Sequence, residues 1–111
     1  MNTRINYLYR DASNYKVPND VIVSGIFSSE QISEIISCLD SGEFFIPSKV
    51  GFTEKKFEEE TEDDHPWFEL QADDFEFCNE EPTLNVSPDE LVHLFQKEKD
   101  HWEEGIYDAY V

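Results

Sequence analysis

The sequence predicts a small α+β fold: an antiparallel sheet of about four to six short strands with two helices packed on it. Three observations lead there. Two segments, opening at Ser28 and at Ser87, carry complete helix-start signals ahead of apolar stripes. The stretches around them are β-branched or aromatic and alternate over only a few residues, as short strands do. Finally, 111 residues leave room for one domain and one core. No linker or internal repeat divides the chain, so residues 1–111 read as a single α+β domain.

Ile5 to Tyr9 puts Ile5, Tyr7 and Tyr9 on one face and Asn6 and Leu8 on the other, a strand pattern. Arg10 to Lys16 is a loop rich in turn formers, Val17-Pro18-Asn19-Asp20 reads as a further turn, and Val21-Ile22-Val23 as a short strand ended by Gly25. The two strands are expected to pair antiparallel.

Ser28 is the expected N-cap of the first helix and Gln31 completes a capping box, with Phe27 and Ile32 as a hydrophobic staple. Ile32, Ile35, Ile36 and Leu39 then form one stripe, which Gly42 is expected to stop. Glu43 to Pro47 is a short strand or extended connection, Pro47 favouring an edge or an end. Gly51, Lys55 and Lys56 suggest a surface loop over Ser48–Phe57, and the run Glu58–Asp64 lacks apolar periodicity, so it is expected as an exposed loop or frayed turn.

Pro66 to Leu70 regains strand character. Asp74-Phe75-Glu76-Phe77-Cys78 alternates, which predicts Phe75 and Phe77 facing inward, with a hairpin turn at Gln71-Ala72-Asp73. Thr83 to Val86 is a candidate last strand. The second helix opens on Ser87 as N-cap, Pro88 at N1 and Glu90 closing the capping box, with Val86 and Leu91 as staple. Its stripe runs Leu91, Leu94, Phe95 and Trp102, and Gly105 is the expected stop.

Nine Phe, five Tyr and two Trp, 14% of the chain, supply apolar area that a disordered chain lacks. Twenty-six acidic and eight basic residues give a net charge of −18. The excess is uneven: residues 1–53 hold four basic and six acidic residues, residues 54–111 four basic and twenty acidic. Direct binding to nucleic acid or to an anionic membrane is thereby disfavoured, because phosphate recognition needs cations. The natural complement is a basic protein surface. No apolar stretch is long enough to span a bilayer and no signal peptide is apparent, so a cytoplasmic protein with Cys38 and Cys78 reduced is expected.

Chemistry finds little purchase. Asp63, Asp64 and His65 are adjacent and do not follow a calcium-loop pattern, and Cys38, Cys78, His65, His93 and His101 lack paired zinc spacing. No glycine-rich phosphate loop or nucleophile elbow is present. The expectation is no metal, no cofactor and no enzymatic activity. His93 and His101, beside acids, read as surface histidines with raised pKa. Tyr7, Tyr9, Arg10 and Tyr15 form the one mixed polar and aromatic group suited to a small-ligand pocket, near Tyr7–Lys16; core packing and an ion pair account for the same residues.

The acids make a stronger candidate as a recognition surface. Carboxylates on one strand face recur about every 6.8 Å. Phosphates on one DNA strand repeat near 3.4 Å along the axis. Glu58, Glu59, Glu60, Glu62, Asp63 and Asp64, together with Asp74 and Glu76, are therefore the candidate partner-binding residues, a phosphate-like array for the basic groove of a nucleic-acid-binding protein. The plainer alternative is that the charge only keeps a small domain soluble.

Tyr7-Leu8-Tyr9-Arg10-Asp11-Ala12-Ser13-Asn14-Tyr15-Lys16, followed by a strand and the Ser28–Asp40 helix, resembles small acidic uncharacterised proteins carried on bacterial mobile genetic elements; the likeness runs through Phe68. No catalytic residues come with it. Proteins of that kind include DNA-mimic inhibitors of host-defence nucleases, which this chain resembles in size and charge only. The combined expectation is a non-enzymatic acidic interaction module, with a DNA-mimic inhibitor as the narrower form within that class; the alternative is a small-ligand-binding domain.

Overall fold

A computed structural model of the chain describes residues 1–11, 13–56 and 65–104. It is an α+β fold with a five-stranded antiparallel sheet and two α-helices. The strands are β1 (Asn2–Arg10), β2 (Lys16–Val23), β3 (Phe44–Phe45), β4 (Phe68–Glu69) and β5 (Phe75–Cys78); the helices are α1 (Ser29–Ser37) and α2 (Pro88–Glu98).

β1 is the centre of the sheet. Thr3, Ile5, Tyr7 and Tyr9 are buried on one face, while Arg4, Asn6, Leu8 and Arg10 stay partly exposed on the other. β2 pairs antiparallel along β1, from Thr3 opposite Val23 to Arg10 opposite Lys16. The turn expected at Val17–Asp20 is instead part of β2. Pro18 is tolerated because, among the described residues, no strand other than β1 pairs with β2. Asn19 is buried, and its side-chain amide takes over the missing pairing: Oδ1 accepts from the Lys55 N–H at 2.8 Å and Nδ2 donates to the Lys55 carbonyl at 3.1 Å.

β4 and β5 both pair with β1, on the side away from β2. Glu69 lies opposite Leu8 and Phe75 opposite Ile5, so six steps on one chain match three on the other. The three extra residues form a 3-10 turn, Ala72–Asp74, which bulges out between two collinear strands. This corrects the expected hairpin at Gln71–Asp73: β1 supplies hydrogen-bond partners to both segments, so neither folds back on the other. Phe75 faces inward against the Phe27 ring at 5.5 Å. Phe77, opposite Thr3 near the end of the sheet, is 64% exposed, contrary to its expected burial. Thr83–Val86 is no strand either. Thr83 and Leu84 donate to the single carbonyl of Ile22, leaving one parallel bridge, Val23 to Leu84.

Both helix starts match expectation. Ser28 and Ser87 are N-caps with reciprocal capping boxes to Gln31 and Glu90, each cap contributing about 1 kcal/mol. Their ends come earlier than expected. α1 stops at Ser37, whose hydroxyl bonds the Glu34 carbonyl at 2.7 Å, and Gly42 (φ 70°) belongs to the following turn. α2 stops at Glu98, and Asp100 (φ 65°) turns the chain, so Trp102 is reached from a turn rather than from the helix. Gly105 and the 106–111 tail lie outside the described residues.

The core lies between the inner sheet face and the helices. The Tyr7 ring touches Phe45, Phe52 and Phe68 at 5.3–5.9 Å, while Phe95 and Trp102 extend the cluster on the helix side. The Trp102 indole N–H donates to the Cys38 carbonyl at 2.7 Å, tying the segment after α2 to the end of α1. No described helix is long and apolar enough to cross a membrane. Phe45→Ala should cost about 3–5 kcal/mol of unfolding free energy in urea and Phe77→Ala less than about 0.5 kcal/mol. Comparable losses at the two sites would contradict this placement of the core.

Candidate protein-interaction surface

The outer sheet face concentrates charge around two arginines. Arg4 on β1 contacts Asp20 on β2 at 3.2 Å, Glu76 on β5 at 3.4 Å, and Glu80 just beyond β5. Three carboxylates converge on one guanidinium; the hydrogen bond to Glu80 first, and then that to Glu76, hold it still more firmly protonated against an opposing desolvation. Arg10 pairs with Glu69 on β4 at 2.8 Å and also bonds the Asn14 side chain. Lone exposed pairs of this kind add little stability. What they set is the sign of the surface, which stays negative at Arg4 even with the arginine in place.

Of the eight sequence-predicted acids, Glu58, Glu59, Glu60, Glu62, Asp63 and Asp64 lie outside the described residues. Glu76 is exposed and belongs to the Arg4 cluster. Asp74 acts locally. Its carboxylate accepts the Gln71 N–H at 2.8 Å and closes the bulge between β4 and β5. Burial pushes its pKa up, against the opposing pull of the Gln71 N–H, with nearby Asp73 adding a smaller push.

Tyr7, Tyr9, Arg10 and Tyr15 do not surround a cavity. Tyr7 and Tyr9 point into the core, at 2% and 0% exposure, because the alternation of β1 turns them toward the helices. The Tyr7 hydroxyl donates to the Thr53 carbonyl at 2.6 Å, and burial pushes its pKa up. Arg10 sits on the opposite face with Glu69, while Tyr15 is 67% exposed in the β1–β2 turn. The pocket expected near Tyr7–Lys16 is thus split between the two faces of one strand.

Recesses are found away from the Tyr7–Lys16 segment. One, of about 370 Å³, is lined by Asp40, Phe44, His65, Trp67 and Glu103. Its neighbour, of about 280 Å³, is lined by Leu39, Asp40, Ser41, Asp100, Trp102 and Glu103. Asp40 and Glu103 are 63 positions apart in the chain, so no local motif announces them. A third recess, along α1, is lined by Ser29, Glu30, Ser33, Glu34 and Ser37.

The chain has no match among protein-family models, curated proteins or solved structures.

His65 Nδ1 accepts the Trp67 N–H at 3.1 Å, so its Nε2–H donates to the Arg10 carbonyl at 2.6 Å, and neither nitrogen is left for a ligand. Burial pushes the Cys38 thiol up, away from thiolate character, with Glu34 reinforcing it. His101, in the turn after α2 rather than on the helix, has its pKa raised chiefly by its hydrogen bond to Glu104 at 2.7 Å. Among the described residues no three His, Cys, Asp or Glu side chains are grouped to hold a metal ion.

Asp74 yields a prediction. Its folded pKa is raised above the unfolded value, so the folded state binds the proton more tightly. The resulting stabilisation is fully present below the unfolded pKa and is lost as pH rises through the folded pKa. Asp74→Asn removes the buried charge but keeps an oxygen for the Gln71 N–H. The variant should therefore exceed the wild type in urea stability at pH 7, by more than exposed Asp73→Asn does, and the gap should shrink below about pH 4. A gap that persists unchanged in acid would contradict the assignment.

Proposed function

We propose that this protein is a non-enzymatic acidic interaction module of the bacterial cytoplasm that engages a basic protein surface. Within that class we propose a DNA-mimic inhibitor of a nucleic-acid-binding or host-defence protein, of the kind carried by mobile genetic elements. The observation that supports the reading best is the Arg4 cluster, where Asp20, Glu76 and Glu80 outnumber the cation they surround. Anionic side chains there come from two strands and a loop, so a two-dimensional negative patch is held by the sheet rather than by one flexible segment. The six acids of Glu58–Asp64 add to the same field through the net charge of −18.

A field of this strength acts at long range. It speeds encounter with a cationic surface and makes binding fall with ionic strength. Exposed carboxylates also carry the charge of a nucleic-acid backbone without its bases, which suits competition for a phosphate-binding groove.

The test is capture from bacterial lysate on the immobilised protein, eluting first with duplex DNA and then with salt. The expected result is a basic nucleic-acid-binding protein released by either. A partner released by salt but not by DNA would overturn mimicry and leave an acidic interaction module. Absence of any salt-released partner would overturn both, and leave the charge a solubility device.

A further inference from the structure

We infer that the two adjoining recesses at Asp40 and Glu103 form one anchor site for an arginine side chain of a basic partner protein. The inference rests on the interaction reading above and names the part of the surface that would grip rather than merely attract.

Asp40 and Glu103 line both recesses, so they stand where the two meet. Each carboxylate is exposed, and among the described residues neither takes part in a hydrogen bond or ion pair through its side chain. Among the described residues no lysine or arginine lines either recess, and Asp100 adds a third carboxylate to one of them. Beside the acids stand half-buried aromatic side chains, Phe44 of β3 and Trp67 just before β4. Trp67 is held in place from its own backbone, since its N–H donates to His65 Nδ1 at 3.1 Å. On the other side, the Trp102 indole is fixed to the Cys38 carbonyl, while Asp40 is fixed through its backbone, its N–H donating to the Phe44 carbonyl at 2.8 Å.

This combination selects a ligand class. An anion would be repelled by three carboxylates. A neutral apolar group would cover Asp40 and Glu103 and strip their water without returning a partner. A cation with a flat apolar face satisfies both halves: the guanidinium stacks on Trp or Phe and donates to carboxylates in a forked geometry, which a lysine ammonium cannot do. Arginine and aromatic anchors are also the residues that dominate binding energy at protein interfaces.

The experiment is NMR titration of the full-length protein with N-acetyl-arginine amide, using N-acetyl-citrulline amide as the neutral isostere and N-acetyl-lysine amide as the ammonium comparator. The expected result is saturable shifts of the Trp67 and Trp102 indole signals with the arginine probe, with a Kd on the order of 10 mM. Lysine should bind more weakly and citrulline not detectably. The double variant Asp40→Asn with Glu103→Gln should lose binding at least tenfold. Glu30→Gln with Glu34→Gln, which removes the same charge from the recess along α1, should retain it. Shifts spread over the whole acidic surface, equal binding of citrulline, or equal losses in the two double variants would overturn the anchor. Failure here is separable from failure of the proposed function. If the lysate partner is still captured and released by salt while no arginine site is found, the acidic surface stands and the anchor falls. If the probe binds but no partner is captured, the anchor stands and the broader reading falls.

Discussion

Backbone pairing on both flanks of β1 is the constraint on which the structure depends. β2 runs along one flank, while β4 and β5 share the other, end to end. Because β1 is hydrogen-bonded on both sides, its alternation dictates two environments at once. Ile5, Tyr7 and Tyr9 must face the helices and nucleate the aromatic core; Arg4 and Arg10 must face outward. The pairing joins Asn2 to Cys78, so most of the chain must be in place before the sheet is complete. Such long-range closure carries an entropy cost that only a well-filled core offsets. The dense ring contacts around Tyr7 and Phe45 supply that core in a chain of only 39% hydrophobic residues.

The outward half of the same alternation organises the charge. Strand neighbours place acids against the two arginines, and Arg4 receives more negative than positive charge. Charge excess of this kind lowers stability through self-repulsion, and salt relieves it. A chain selected for stability alone gains nothing from twenty acids in its second half. On the function proposed above, a cationic partner meets this surface, with the Asp40–Glu103 recess as the proposed point of grip.

What was legible in the sequence was local. Ser28 with Gln31 and Ser87 with Glu90 announce their helices because a capping box is complete within four residues. The inner face of β1 follows from its period of two. The failures within the sheet were non-local. β2 extends through Pro18 and Asn19 because β1 and the Lys55 backbone receive it, not because those residues favour strands. The segment Gln71–Asp74 becomes a bulge because a third strand is there to pair on both sides of it. For the site, Glu76 was legible as an exposed strand acid, whereas Asp74 proved to hold a turn. Asp40 and Glu103 carry no local signal, since only the packing of the turn after α1 against the turn after α2 brings them to a shared recess.

On the function proposed above, negative charge acting collectively brings this protein to a basic partner. The most direct measurement is the association rate with the salt-released partner over about 50–500 mM salt, for the wild type and for a variant with Glu58, Glu59, Glu60 and Glu62 replaced by Gln and Asp63 and Asp64 by Asn. The wild-type rate should fall at least tenfold across that range, and the variant should associate more slowly at low salt with a shallower dependence. An association rate indifferent both to salt and to loss of the six carboxylates would contradict it.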